Sequence, residues 1–394
     1  MKKTRWIGWL ALALLLGGAA FWVVAVGGPA AGDAATEIAA AQRTETVLSP
    51  IYTVDRKYRS MMGPYSEQQI LLDGVPEPGS EDFAQGEDPP PPAGDDPDLL
   101  WITGYRAVMV GADGSEPAAQ EFMCHSNLDL DVLAHEELWG QAAGFGSRLF
   151  TLSQGQFEVR FPPGFGIPVL SSETLSLTTQ VLNLNVEGPP FEVRHKVSVE
   201  YLRDRDVKVP MKALFPTAAY GLALVEGEEG YFGVRRPDEE QHGPGCLVGE
   251  NASDHEYSDG MGRKFTGHWV VKPGREVNRT LVTQLMQLPY DTTIHYIAVH
   301  LHPFAESLEL RDLTAGETLF LSSARNYEDK IGLSHVDALT SADGIPVYRD
   351  HEYELVSTYN NTTGEDQDSM AVMYIYLRDL EFEERWARRA RRRG

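Results

Sequence analysis

Short apolar runs that alternate with polar residues recur along this chain, separated by Gly, Pro, Asn and Asp. Leu100–Val110, Phe157–Phe161, Leu175–Leu182 and Val193–Tyr201 follow this pattern, as do Arg279–Leu285 and Leu308–Asp312. Successive side chains of a strand point to opposite faces, so period-two alternation predicts strands with one buried face. Long amphipathic helical patterns are scarce. The reading is all-β, most simply as sandwiches of packed sheets. A chain of 394 residues has room for about two domains, each with its own core. A boundary near Tyr201–Pro210 gives an N-terminal β-sandwich domain over 51–205 and a C-terminal one over 206–380.

Several stretches fall outside this pattern. Within residues 1–30, Lys2, Lys3 and Arg5 precede an uncharged apolar run, Trp6 to Val26, long enough to cross a bilayer as a helix. Basic residues before such a run keep the amino terminus in the cytoplasm and send the remainder across. The small residues that follow also fit a cleaved signal peptide, so anchor and signal both stand. Either one exports the body to a periplasm or extracellular space, and an anchor makes the membrane a partner. Residues 31–50 read as a linker. Residues 74–98, with the run Pro89–Pro92, predict a disordered acidic loop. The interval Gly227–Lys264 carries little strand signal and reads as a loop or insert. Arg378 to Gly394 reads as a short helix that leaves the fold, and its basic tail, 381–394, is either a solvated end or a contact for anionic lipid or for the acidic body.

Two strands carry the candidate chemistry. In His295-Tyr-Ile-Ala-Val-His-Leu-His302, His300 and His302 are two positions apart, so a strand places both imidazoles on one face, about 7 Å apart at their roots. A second apolar strand, Met370 to Leu377, opens with a thioether. Met370 and Met373 differ in parity, so only one of them can join the histidines. His295 has the opposite parity to His300 and reads as structural. Two imidazoles and a thioether form a mixed-softness donor set that suits copper better than zinc, calcium or magnesium. A His-x-His pair on an apolar strand also occurs as plain packing, and both methionines would serve in a core.

Charge narrows the partners. The formal net charge is −24, from 34 basic and 58 acidic side chains. Setting aside the three basic residues near the amino end and the six arginines from Arg385 onward leaves a net −33 for the body. Such a surface repels nucleic acid. The two cysteines, Cys124 and Cys246, allow one internal disulfide, which export permits. A ligand remnant and a buried free thiol are the other readings of Cys124. His242, His255 and His268 show no ligand spacing and receive no role. No serine sits in a Gly-x-Ser-x-Gly turn, so an elbow-type hydrolase has no support.

The run from Thr280 through His302 to Leu310, with the strand that Asp368-Ser-Met370 opens, resembles the copper type II, ascorbate-dependent monooxygenases. This is the family of the peptidylglycine α-hydroxylating and dopamine β-monooxygenases. The resemblance extends from about Tyr52 to Asp379, at motif strength only in the second half. It implies two tandem jelly-roll-like β-sandwich domains, each with a copper, after the N-terminal anchor or signal segment. His300, His302 and Met370 match the ligands of the second copper, and Tyr374 matches a family tyrosine at that site. Phe161-Pro-Pro-Gly-Phe-Gly166 resembles a family loop. Phe122-Met-Cys-His-Ser-Asn-Leu-Asp129 falls where the first domain carries adjacent histidines. There the pair is Cys124-His125, and the third donor position, counted without gaps, is Asn183. His195, on the next strand, is an alternative donor that no motif places. The residues that read a peptide carboxylate in the peptidylglycine enzyme correspond to Ala298 and Val372, which argues against a glycine-extended peptide.

These features imply an exported copper protein, a monooxygenase-like oxidoreductase with a degenerate electron-relay site. Its partners would be dioxygen, a reductant (ascorbate or a redox protein) and a small organic substrate. A non-enzymatic copper-binding or delivery protein, or a double β-sandwich used for protein interaction, are the alternatives.

Overall fold

A computed structural model describes residues 31–393, apart from 61, 74–96, 134, 136–145, 228–229 and 234–255. The expected membrane or signal segment, nearly all of the acidic loop, and Cys246 with its possible disulfide lie outside the described residues. No helix among those described is long and apolar enough to cross a membrane.

The protein is predominantly β. In the N-terminal half the strands are β1 (Arg43–Leu48), β2 (Tyr52–Val54), β3 (Tyr65–Leu71), β4 (Leu99–Gly111) and β5 (Met123–Leu130). They are followed by β6 (Arg148–Ser153), β7 (Glu158–Arg160), β8 (Phe165–Leu170), β9 (Thr174–Val181) and β10 (Phe191–Arg203). The C-terminal half begins with β11 (Lys212–Tyr220), β12 (Ala223–Glu226), β13 (Glu256–Ser258), β14 (Lys264–Thr266) and β15 (Trp269–Val271). Next come β16 (Gly274–Leu281), β17 (Thr292–Leu301), β18 (Ala305–Asp312), β19 (Glu317–Asn326) and β20 (Leu333–Val336). The last are β21 (Leu339–Val347), β22 (Tyr353–Asn361), β23 (Gln367–Ser369) and β24 (Ala371–Arg378).

One long sheet, in the order β1-β10-β4-β8-β11-β24-β17-β21, runs through both halves. Its midpoint is a two-residue parallel pairing, Lys212 with Phe165 and Ala213 with Gly166. The sheet β3-β9-β5-β6 belongs to the N-terminal half, and β16-β22-β18-β19-β20 to the C-terminal half. The strands β9 and β10 show the alternating burial their sequences call for. The strands β17 and β24 are buried on both faces, which explains their nearly continuous apolar sequences. Tyr296, Ala298, Val372, Tyr374 and Tyr376 join the core of the N-terminal half. Ile297, Val299, Leu301, Met373 and Ile375 join the core of the C-terminal half.

The amino-terminal end departs from expectation, and at the other end the short helix is as expected but packs on the fold instead of leaving it. The linker read over 31–50 is part of the fold: Ala31–Ala41 is helical (α1), and β1 pairs with β10 along all six of its residues. It is an edge strand with exposed and half-buried side chains, so backbone pairing holds it and its hydrophobic pattern stays faint. The basic tail forms a helix, Phe382–Arg393, whose Phe382 ring lies 5.1 Å from that of Trp101. Arg385, also buried, forms an ion pair with Asp379.

Candidate metal centre

The geometry converges on Met370, because the chain changes sheets there. On one side β24 pairs with β17, with Leu301 opposite Ala371, which places Met370 level with His302. On the other side β23 pairs with β15, with Ser369 opposite Trp269, which places Met370 level with His268. Two unrelated ladders therefore deliver His302 and His268 to the same thioether. His268 Nε2 lies 3.2 Å from Met370 Sδ. The His268 and His302 rings are 5.7 Å apart at 79°, and those of His300 and His302 are 5.2 Å apart at 89°. Imidazoles that share one tetrahedral ion have centroids roughly 5 Å apart. All four side chains are buried.

Polar neighbours fix this arrangement. The Tyr359 hydroxyl donates to the Met370 carbonyl (2.5 Å) and accepts from the His302 backbone N–H (3.3 Å), pinning the two strands together at the site. Burial raises the pKa of that phenol, so it stays a donor. Thr266 Oγ1 bonds both the N–H and the carbonyl of His268. His300 Nδ1 is 2.9 Å from Ser153 Oγ on β6. His302 Nδ1 lies 3.3 Å from the Asp368 carbonyl and 3.4 Å from its carboxylate. A ring whose Nδ1 is held in this way can turn Nε2 to a metal, as in carboxylate–histidine–metal triads, and in this structure His302 Nε2 lies 3.5 Å from Ser60 Oγ. Burial, then the neighbouring His302, His125 and His268, pushes the pKa of His300 well below the usual imidazole range. At neutral pH it is therefore an uncharged ring with a lone pair. Among the described residues no three His, Cys, Asp or Glu side chains already close on a single point. The thioether of Met370 is the donor that gathers the histidines here.

The expected parities hold. Met370 shares the face of His300 and His302, whereas Met373 lies in the other core. His295 is structural: Nδ1 meets the Ser341 carbonyl (2.8 Å), Nε2 meets Thr293 Oγ1 (2.8 Å), and the ring lies 4.2 Å from Phe165. Tyr374 is buried on the metal-site face, level with Ala298, two residues along β24 from the partner of His300.

The first-domain set does not assemble as a donor triad. The Asn183 amide donates to the carbonyls of Arg56 and Val186 (2.9 Å each), and its Oδ1 accepts from the N–H groups of Asn185 and Val186. Asn183 is thus a loop-closing residue with no capacity left for a metal. His195 is fully buried, with Nε2 3.2 Å from the Gln180 carbonyl and no hydrogen-bond partner at Nδ1. His125 is half-buried on β5, and burial, then Arg148 and His195, pushes its pKa down to about 3. Cys124 is buried in a bulge of β5 where its pairing with β9 shifts. It lines the same cavity as His300 and His302, a space of about 360 Å³ that also borders Ser60, Ser153 and Asp368.

His268 and Tyr359 were not signalled by the sequence. His268 stands before a three-residue strand, and only its pairing with β23, a hundred residues later, gives it a place. No protein-family model matches the chain, and no curated protein matches it significantly.

Proposed function

We propose that this chain is an exported, copper-dependent oxidoreductase resembling the copper type II monooxygenases, with one metal site at His300, His302 and Met370. On this reading its two halves are the tandem jelly-roll-like domains of that family, carried beyond the membrane by residues 6–26. The observation that carries the proposal is the crossing of two strand ladders at Met370, which sets a thioether among buried imidazoles. That donor set fits copper in its reduced state, because soft thioether sulfur favours Cu(I) and imidazole suits both oxidation states.

Copper bound there would supply one-electron redox chemistry and a binding position for dioxygen. The protein's own groups do the rest. Ser153 and Asp368 hold the imidazoles of His300 and His302 by their Nδ1 atoms. The adjoining cavity of about 360 Å³ suits a small organic substrate, and Tyr374 lies in the same core as Met370. Because Asn183 is committed to its own loop, electrons would come directly from ascorbate or a redox protein. Among the described residues, Cys124, His125 and Asn183 do not form a donor triad for a relay copper.

That lost triad favours a second reading, in which the same site holds or delivers copper without turnover. Metal content after Cu(I) loading, with ascorbate-driven oxygen uptake, separates the two. One copper per chain and uptake abolished by His300→Ala is the result expected of an oxidoreductase. One copper without uptake selects the delivery role, and a chain that retains no tight copper sinks both.

A further inference from the structure

We infer that His268 is a fourth, displaceable donor to the metal of this site, so that the resting Cu(I) centre is closed to small external ligands. This rests on the copper reading above and adds a residue to which no motif assigned a role. His268 Nε2 is 3.2 Å from Met370 Sδ. A nitrogen and a sulfur bound to one tetrahedral ion stand about 3.5 Å apart, so the pair is already at the spacing of two ligands of one metal. Its ring is also at 5.7 Å from that of His302, close to the separation of His300 from His302. Thr266 fixes the His268 backbone from both sides, which pre-organises the ring at little entropic cost.

Three imidazoles and a thioether fill a four-coordinate shell, and a reactive centre must keep or create an open position. His268 is the donor able to leave. His300 lies within the paired frame of β17 and β24, with His302 and Met370 one residue beyond its ends, whereas His268 precedes the three-residue strand β15. Its departure would leave that frame intact.

The competing explanation is a hydrogen bond from His268 Nε2–H to sulfur that only packs the site. Cu(I) affinity, measured by competition with a colorimetric chelator, and carbon monoxide binding, read by infrared spectroscopy, distinguish the two in the full chain. His268→Ala and His268→Gln should each lower Cu(I) affinity at least tenfold, and both should show a bound carbon monoxide band that the wild type lacks. Gln keeps an amide N–H for the sulfur, so a packing role would be rescued by it and a ligand role would not. Undiminished affinity in both variants, rescue by Gln, or a full carbon monoxide band in the wild type overturns the inference. Failure of the copper reading itself looks different: the wild type binds no tight Cu(I), or His300→Ala binds it as well as the wild type.

Discussion

Met370 and Met373 lie three positions apart on one segment, yet they belong to different cores. Strand parity made that division legible in the sequence, as it did the shared face of His300 and His302. The chemistry can be tested at the same resolution. Leucine keeps most of the volume of methionine but has no sulfur, so either Met→Leu change should cost under about 1.5 kcal/mol of stability. Met370→Leu should nonetheless weaken Cu(I) binding at least tenfold, and Met373→Leu should leave it unchanged, both by chelator competition. Equal affinities in the two variants would move the metal away from Met370. Parity could not disclose His268, which stands outside any alternating run. Nor could it show that Asn183, aligned with a ligand position, spends its whole amide on a loop.

At the scale of elements, the strands that were easiest to read are those with one wet face, such as β9 and β10. The strands β17 and β24 were legible as apolar runs because both their faces are covered. The three-residue strands β15 and β23 are too short to show a period, and their pairing is fixed only by the finished fold. The edge strand β1 was missed for the opposite reason, since its ladder needs no apolar side chains. The join between β15–β23 and β17–β24 includes the hydroxyl of Tyr359, which ties the His302 N–H to the Met370 carbonyl. Tyr359→Phe leaves two buried backbone groups without that partner and should cost about 1–3 kcal/mol in denaturant unfolding. It should also quicken Cu(I) release, because His302 and Met370 lose their common tether. If copper release is unchanged while stability falls, the tether serves the fold alone. The β6–β7 turn makes a comparable demand at Gly155, whose φ is +83° and whose absent Cβ would meet Val336 Cγ2 at 2.8 Å. Gly155→Ala should therefore loosen the contact between the halves more than an ordinary surface change, by about 1–3 kcal/mol in the same measurement.

The whole molecule is fastened across its midline by buried and half-buried polar contacts as well as by the shared sheet. Gln156 Oε1 accepts the Val299 N–H (2.7 Å), Asn185 exchanges two bonds with Ile331, and Lys330 pairs with Glu121. A chain with net charge −24 that is held this tightly has a pH response set by opposing groups. Acidification relieves carboxylate repulsion, and it also protonates any histidine that the fold keeps neutral. His195 isolates the second effect. Burial, partly offset by its hydrogen bond to the Gln180 carbonyl, holds its pKa down to about 4, against 6.5 for an unperturbed histidine. The unfolded chain takes up a proton near pH 6.5, whereas folded His195 does not until about pH 4. Its neutrality therefore costs nothing above pH 7, and stability falls progressively as the pH drops from about 6.5 toward 4. Linkage puts the loss from this one group at about 2 kcal/mol by pH 5. His195→Gln keeps an amide donor for Gln180 and cannot titrate, so the stability difference between wild type and variant should shift toward the variant by about that amount between pH 7.5 and 5. Urea unfolding of both proteins at the two pH values measures it, with the acidic surface common to both and so cancelling. A difference that stays constant with pH would mean that His195 gains a compensating partner on protonation, which the unpaired Nδ1 in its buried position argues against.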